Sequence, residues 1–372
     1  MKILKMAFKG YRNLKENELE FSPKINFVFG KNAQGKTNLI EAILMFTGAR
    51  SFRGTKDADL VNFESDFARI DGKFFFENTE HEITIIFSGG KRKAIFDDIT
   101  KSYPTNIIGR FKTVLFSPVH LSLVKDGPDY RRRFLDAAIC QLKPTYTKTV
   151  SKYNQVLRQR NSFLKTFDQS KSAFELLDVW DSKLSELGAK MIKERLEYLK
   201  IFKNKVFSFY NDISGGKEKI EVKYSFSVNK NINLGLSLEE IKKIMISKLE
   251  KTHESDIKTG STSCGPHKDD LEILINEKPA KYFGSQGQQR SVVLAFKLAE
   301  AMILEEFSGE SPVVLLDDVM SELDDFRKKY LLKNLGKRQV FITSCDKSDL
   351  KKLEIGKLFK VENGKIMQVK NF

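Results

Sequence analysis

The eight residues Gly30-Lys31-Asn32-Ala33-Gln34-Gly35-Lys36-Thr37 constrain this chain more than any other stretch. They fit the pattern G-x-x-x-x-G-K-[ST], and their flanks supply the context that the pattern needs. The apolar run Ile25-Asn26-Phe27-Val28-Phe29 before them reads as a buried strand. After them Leu39, Ile40, Ile43 and Leu44 recur at helical spacing, so residues 38–46 read as a helix. Strand, glycine loop and helix in this order make a phosphate cradle. Glycines let the backbone curl until its N–H groups converge on phosphate oxygens, and the helix N-terminus adds partial positive charge at the same point. Lys36 is placed to reach the β- and γ-phosphates of a nucleotide such as ATP, and the Thr37 hydroxyl to ligate Mg2+. All eight residues are therefore the expected nucleotide-binding segment.

Further along, Val313-Val314-Leu315-Leu316 reads as a second buried strand, ending in Asp317-Asp318. An acid at a strand tip beside such a loop holds Mg2+, the role expected of Asp317 together with Thr37. Asp318 is placed to orient or polarise an attacking water, and with Lys36 it makes the expected catalytic pair. Two carboxylates this close repel each other, so a bound Mg2+ or a shared proton is expected. Ser321-Glu322-Leu323-Asp324 fits a dimer-contact loop, and Thr343-Ser344, at the end of an expected strand over 339–343, fits a γ-phosphate sensor. A second anion cradle is offered by Gly284-Ser285-Gln286-Gly287-Gln288-Gln289-Arg290, just before a strongly periodic helix expected over 291–307. Here Ser285, Gln286, Gly287 and Gln288 supply a hydroxyl, a glycine and free N–H groups at a helix start. The same residues also fit an ordinary N-cap. Two cradles so far apart in one sequence suggest that each serves a different edge of one nucleotide, as when two molecules face each other and sandwich ATP.

The net charge of +15 over 372 residues points to a polyanionic partner, nucleic acid before an acidic membrane surface, although a lysine-rich soluble surface also accounts for it. Cys140, Cys264 and Cys345 are too far apart for a disulfide framework or a zinc motif. No apolar run approaches a membrane span and no signal peptide is evident, so a cytoplasmic protein is expected. Residues 68–76 and 81–87 read as an antiparallel hairpin. The texture changes near Asp126-Gly127-Pro128: residues 130–210 carry long helical patterns, broken at Gly215-Gly216. A strand over 220–228, a helix over 238–251 and a strand over 271–275 follow, and the tail reads as a hairpin turning at Asn363-Gly364.

In this order the motifs resemble the ATP-binding-cassette class of ATPase heads, as in SMC proteins, and within that class the RecF family of bacterial recombination mediators. The resemblance rests on Gly30 through Glu41, Arg50-Ser51-Phe52-Arg53, Gly127-Pro128, Arg131-Arg132-Arg133-Phe134-Leu135-Asp136, Gly265-Pro266-His267-Lys268-Asp269-Asp270, Gly284 through Arg290, and Leu315 through Asp324. It implies an α/β fold: an ABC-type P-loop ATPase head with a mixed sheet, built in two lobes from residues 1–128 and 265–372, plus an inserted, mainly helical arm over 129–264. It also implies ATP and Mg2+ as cofactors and an ATP-dependent homodimer that clamps double-stranded and gapped DNA near single-strand/double-strand junctions. RecR and RecO would be partners in loading RecA, with no membrane involved, and the ATPase would be weak, DNA-stimulated and used as a slow switch. Asp318 stands where transporter cassettes carry Glu, which agrees with slow hydrolysis. Val119-His120 stands where an acidic or glutamine-bearing lobe contact is expected, so that loop has no assigned equivalent. Arg131, Arg132, Arg133 and the arm lysines are candidate contacts to DNA phosphates. The rival reading is the ATPase subunit of a membrane transporter; the blocks outside the nucleotide motifs favour DNA.

Overall fold

The computed structural model of the protein describes residues 1–101, 104–168, 170–336, 338–345 and 355–369. Two compact units emerge, residues 1–121 with 290–372, and residues 122–289. The expected arm, 129–264, lies inside the second unit, which also takes in the strand Asp270–Ile275 and the Ser285 segment.

The first unit is built on two six-stranded sheets. One has the strand order Lys365–Val369, Ile355–Glu362, Ile25–Phe29, Val340–Ser344, Val313–Asp317, Thr113–Phe116. The first of these pairs antiparallel with its neighbour and the other five run parallel. Three of the parallel strands, Val340–Ser344, Val313–Asp317 and Thr113–Phe116, are buried at every residue. A parallel strand covered on both faces selects unbroken apolar runs, which is why these stretches show no alternation. The antiparallel edge is the expected terminal hairpin, with Asn363 (φ 50°) and Gly364 (φ 77°) both left-handed, as a two-residue Asn-Gly turn requires.

The other sheet is antiparallel, ordered Asn17–Glu20, Lys2–Lys9, Phe67–Phe76, Thr79–Ser88, Lys91–Phe96, Ile99–Lys101. Here the alternation is plain: along Phe67–Phe76, Ala68, Ile70, Phe74 and Phe76 are buried while Phe67, Arg69 and Phe75 are exposed. The inner face joins a single apolar core with the helix Lys36–Met45 and the parallel sheet, through Ile3, Met6, Phe46, Phe74, Leu315 and Phe341 among others.

In the second unit the helices Pro128–Leu142, Pro144–Leu164, Lys171–Ser214 and Leu238–Thr259 pack with a three-stranded antiparallel sheet ordered Lys278–Pro279, Asp270–Ile275, Ile220–Ser225. The 44-residue helix Lys171–Ser214 starts at Ser170, whose hydroxyl accepts from the Ala173 N–H, and ends at Gly215 in the left-handed conformation. Three other elements differ in extent from expectation. The helix expected over 238–251 runs on to Thr259, and the strand expected over 220–228 stops at Ser225 because Ser227 turns to Asp269, its N–H and hydroxyl both bonding Oδ1 at 2.8 Å. The helix expected over 291–307 begins five residues earlier, at Gln286.

Candidate functional site

The five parallel strands end on one edge, and the loops after them carry the chemistry, as is general for open parallel sheets. The strand Ile25–Phe29 delivers the chain into Gly30, where a Cβ would come within 2.4 Å of the Val361 carbonyl on the neighbouring strand, so only glycine fits. At the far end of the loop Gly35 (φ 117°) caps the helix Lys36–Met45. Between them the Lys36 side chain curls back over its own loop: Nζ donates to the carbonyls of Gly30 (2.6 Å) and Lys31 (2.9 Å) and lies 3.4 Å from Cys345 Sγ. Cys345 in turn donates to Asn32 Oδ1 at 2.7 Å. The loop tip is fastened to the terminal hairpin, since Gln34 Oε1 accepts from Asn363 N (2.5 Å) and the Gln34 carbonyl from Gly364 N (3.1 Å).

The expected metal pair is brought together. Thr37 Oγ1 donates to Asp317 Oδ1 at 3.1 Å although 280 residues separate them in sequence. Thr343, on the strand between, donates to the same oxygen at 2.9 Å, and its hydroxyl accepts from the Asp318 N–H at 3.0 Å. Burial pushes the Asp317 carboxyl above its usual range, opposed by the two hydroxyl donors and reinforced by the Asp318 charge. Asp318 itself has φ 53°, a strained conformation for a non-glycine residue, held by Thr343 and by Ser321, whose hydroxyl donates to the Asp318 carbonyl at 2.8 Å. A cleft of about 530 Å³ opens over these groups, lined by Asn32, Ala33, Gly35, Lys36, Thr37 and Asn38 from the loop, Asp317 and Asp318, and the Phe52-Arg53 and Ser117–Val119 segments. The donors at its floor are oxygens, a carboxylate and a hydroxyl, which suit a hard cation such as Mg2+.

Several supports carry little sequence signal. Glu41, fully buried on the helix after the loop, accepts from Arg12 Nε (3.0 Å) and Nη2 (3.1 Å), from Tyr11 (3.3 Å) and from Ser51 (2.5 Å). It thereby ties the helix to the antiparallel sheet and to the Arg50-Ser51-Phe52-Arg53 loop. His120 does not line the cleft; its Nδ1 accepts from Ser117 N at 3.1 Å and so closes the turn after Phe116. Burial, with Lys297 nearby, holds its imidazole well below the usual range, so it stays neutral. Only a paired look at Arg12 and Glu41, 29 residues apart in sequence, could have hinted at this scaffold.

Ser285, Gln286, Gly287 and Gln288 belong to the second unit, where Ser285 and Gln288 form a reciprocal cap: Gln288 N donates to Ser285 Oγ (3.2 Å) and Ser285 N to Gln288 Oε1 (2.7 Å). Of the three consecutive arginines, Arg131 is withdrawn from any phosphate contact. It is 7% exposed, forks Asp270 at 2.7 and 2.9 Å, and donates to the carbonyls of Leu123 and Asp126. Arg132 bonds the Asp269 carbonyl at 2.6 Å, and Arg133 remains exposed, its guanidinium over the Tyr130 ring. Arg195, on the helix Lys171–Ser214, is likewise buried and forks Asp136 at 2.9 Å through both Nε and Nη2.

The parallel sheet with its glycine loop, strand-tip acids and mixed edge defines a class, the P-loop ATPase head of ATP-binding-cassette type. At 17% identity the Smc head domain of Pyrococcus furiosus shares this fold (TM-score 0.55, covering 99% of this chain and 96% of that one). The chain belongs to the RecF branch of the RecF/RecN/SMC N-terminal domain family, whose family model matches residues 2–367. It is 38% identical over 370 residues to the DNA replication and repair protein RecF of Bacillus cereus strain B4264, covering 98% of both chains. It is likewise 38% identical to a solved structure of the recombination mediator protein RecF-ATPrS in the RecFOR pathway, with a TM-score of 0.92 over 99% of this chain and 98% of that one. Among the described residues no helix is long and apolar enough to cross a membrane.

Proposed function

We propose that this chain is an ATP-dependent DNA-binding protein of replication and recombinational repair, a slow ATPase switch whose ATP-bound dimer clamps DNA near single-strand/double-strand junctions and helps load RecA with RecR and RecO. The observation that carries the nucleotide half is the meeting of Thr37, Thr343 and Asp317 on one oxygen beside Lys36. The near full-length likeness to RecF carries the DNA half. ATP would lie along residues 30–37, with Lys36 exchanging its carbonyl contacts for the terminal phosphates. Thr37 and Asp317 would hold Mg2+, which supplies charge neutralisation on the β- and γ-phosphate oxygens. Asp318, held in its strained conformation at the cleft, would orient the attacking water. Nothing in the site or its relatives favours the transporter reading.

Ser285 would complete the site of a partner molecule. A hydroxyl has one donor and two acceptor positions. In the cap Ser285 Oγ accepts from Gln288 N, which leaves its proton for a γ-phosphate. Charge-assisted bonds contribute about 1.5–3 kcal/mol each, and a symmetric dimer has two, so their loss would weaken dimerisation by roughly two to four orders of magnitude. Ser285→Arg, which fills the cradle, should bind ATP yet stay monomeric in light scattering with ATP and Mg2+. Dimers of parental affinity in that variant would refute the sandwich and leave the ATP site standing.

A further inference from the structure

Far from the nucleotide motifs in sequence, Asp178 and Asp181 stand one turn apart on the helix Lys171–Ser214, and His253 stands on the helix Leu238–Thr259. One ligand atom from each lies within 4.8 Å of the others, and His253 Nε2 is 2.6 Å from Asp181 Oδ2. Donors bound to one Zn2+ at about 2.1 Å sit about 3.4 Å apart in a tetrahedron, so small side-chain rotations suffice to close on an ion. One imidazole and two carboxylates are a donor set for divalent first-row metals.

A second observation points into the same spot. In this unit Arg131 and Arg195 each grip a carboxylate with the edge formed by Nε and Nη2, one nitrogen to each oxygen. Arg160, with no exposed surface, begins the same grip: Nε donates to Asp181 Oδ1 at 2.6 Å. Its Nη2, on that same edge, is buried without a hydrogen-bond partner, because Asp181 Oδ2 has turned to His253. Nη2, which shares that edge with Nε, therefore lacks an acceptor on the Asp181 side, and the oxygen of a metal-bound water would serve as one. The charges agree. Asp181 and Asp256 are both buried and share the single guanidinium of Arg160, Asp181 pairs also with His253, and Asp178 adds a further carboxylate at the rim. Burying carboxylates is costly, and a cation held among these three would offset part of that cost.

We infer that Asp178, Asp181 and His253 bind a divalent transition-metal ion, Zn2+ foremost, with water in the remaining position, pinning the helix Lys171–Ser214 to the helix Leu238–Thr259. The site is independent of nucleotide. The test uses the full chain, stripped of metal by chelation and titrated with Zn2+ alone, without ATP. One equivalent should bind and raise the unfolding temperature. Asp178 is exposed, so Asp178→Asn should leave the metal-free unfolding temperature unchanged while weakening Zn2+ binding by at least about tenfold, the loss seen even for residues behind a ligand. Asp317→Asn, which alters the nucleotide site, should bind Zn2+ like the parent. Substituted Co2+ should show four-coordinate bands without a thiolate charge-transfer band, which separates this site from Cys140, Cys264 and Cys345. No bound Zn2+, equal binding by Asp178→Asn (an adventitious ion only), or a thiolate signature would each overturn the inference.

Discussion

Thr343→Val tests the reasoning about the acid pair most directly. Thr343 has no exposed surface and valine nearly matches its shape, so the substitution removes a hydroxyl and little else. That hydroxyl donates to Asp317 Oδ1 at 2.9 Å and accepts from the Asp318 N–H at 3.0 Å. Losing a bond to a charged group costs about 1.5–3 kcal/mol, and an N–H left without its acceptor about 1–3 kcal/mol, less where cleft water can replace it. A total near 3 kcal/mol in urea unfolding of the nucleotide-free protein is expected. The functional consequence follows from the Asp318 backbone. Its φ of 53° is held partly by this bond, so its carboxylate should lose its aim. If about 2 kcal/mol of that aim is felt only in the transition state, ATP turnover falls roughly 30-fold while ATP affinity, measured with a fluorescent analogue, changes little. Thr343→Ser, which keeps the hydroxyl, should restore most of the rate. Parental turnover and parental stability in Thr343→Val would show that the bridge holds neither acid.

Lys36→Ala should fold normally and lose ATP binding in equilibrium titration, since no other side chain on the loop carries a charge into the cradle. Because burial raises the Asp317 carboxyl above its unfolded value, its contribution to stability is present at low pH and lost as pH rises through the folded value. Asp317→Asn should therefore resist urea better than the parent at pH 7 without nucleotide, and should lose Mg2+-dependent nucleotide binding. His267 runs the other way: burial lowers its imidazole to about 4, so its contribution is full above about 6.5 and lost as pH falls through 4, roughly 3 kcal/mol in all. His267→Gln should flatten the acid limb of the stability curve over that window. Finally, Cys345 is exposed beside Lys36, whereas burial pushes the Cys140 and Cys264 thiols up to about 11. Maleimide should label Cys345 first, ATP should slow the labelling, and the labelled protein should no longer bind ATP.

The parts legible in the sequence are those whose signal is local. Glycines at fixed offsets, unbroken apolar runs and an Asn-Gly turn each report a backbone need at the place where they occur, and so the loop, the buried strands and the terminal hairpin could be read directly. Polar burial could not. The helix Leu238–Thr259 outruns its apolar stripe because its last turns are held by Asp256, buried and bonded to Arg160 at 2.9 Å. A charge in a lysine-rich stretch reads as a solvated face, yet Arg131 and Arg195 are interior. The blocks that mark the family outside the nucleotide motifs turn out to bond one another: Arg131 holds Asp270, Arg132 the Asp269 carbonyl, and Arg195 joins Asp136 to the Pro266 carbonyl. Their spacing along the chain carries no trace of that pairing.

The nucleotide site has a deeper dependence on strand register than its motifs suggest. The strand of the glycine loop and the strand of the acids are not neighbours; Val340–Ser344 lies between them. Two strand spacings amount to about 9.6 Å, too far for direct contact between side chains at the two tips. Thr37 crosses that gap from the first turn of the helix after the loop, its hydroxyl donating directly to Asp317 Oδ1. Thr343 reaches the same oxygen from the strand between, and it can do so only in one register, with Thr343 opposite Val28 on one side and Asp317 on the other. A slip of one residue would turn Thr343 to the opposite face and place Ile342 or Ser344 in its row. That register is enforced by burial: Val340, Phe341 and Ile342 are each 2% exposed or less, and every alternative alignment moves one of them out of its packing. The geometry of the proposed site is therefore set in part by apolar side chains of the strand Val340–Ser344. The short run Gln339-Val340-Phe341-Ile342-Thr343 thus holds the strand that carries Thr343 in the one alignment that puts its hydroxyl on Asp317.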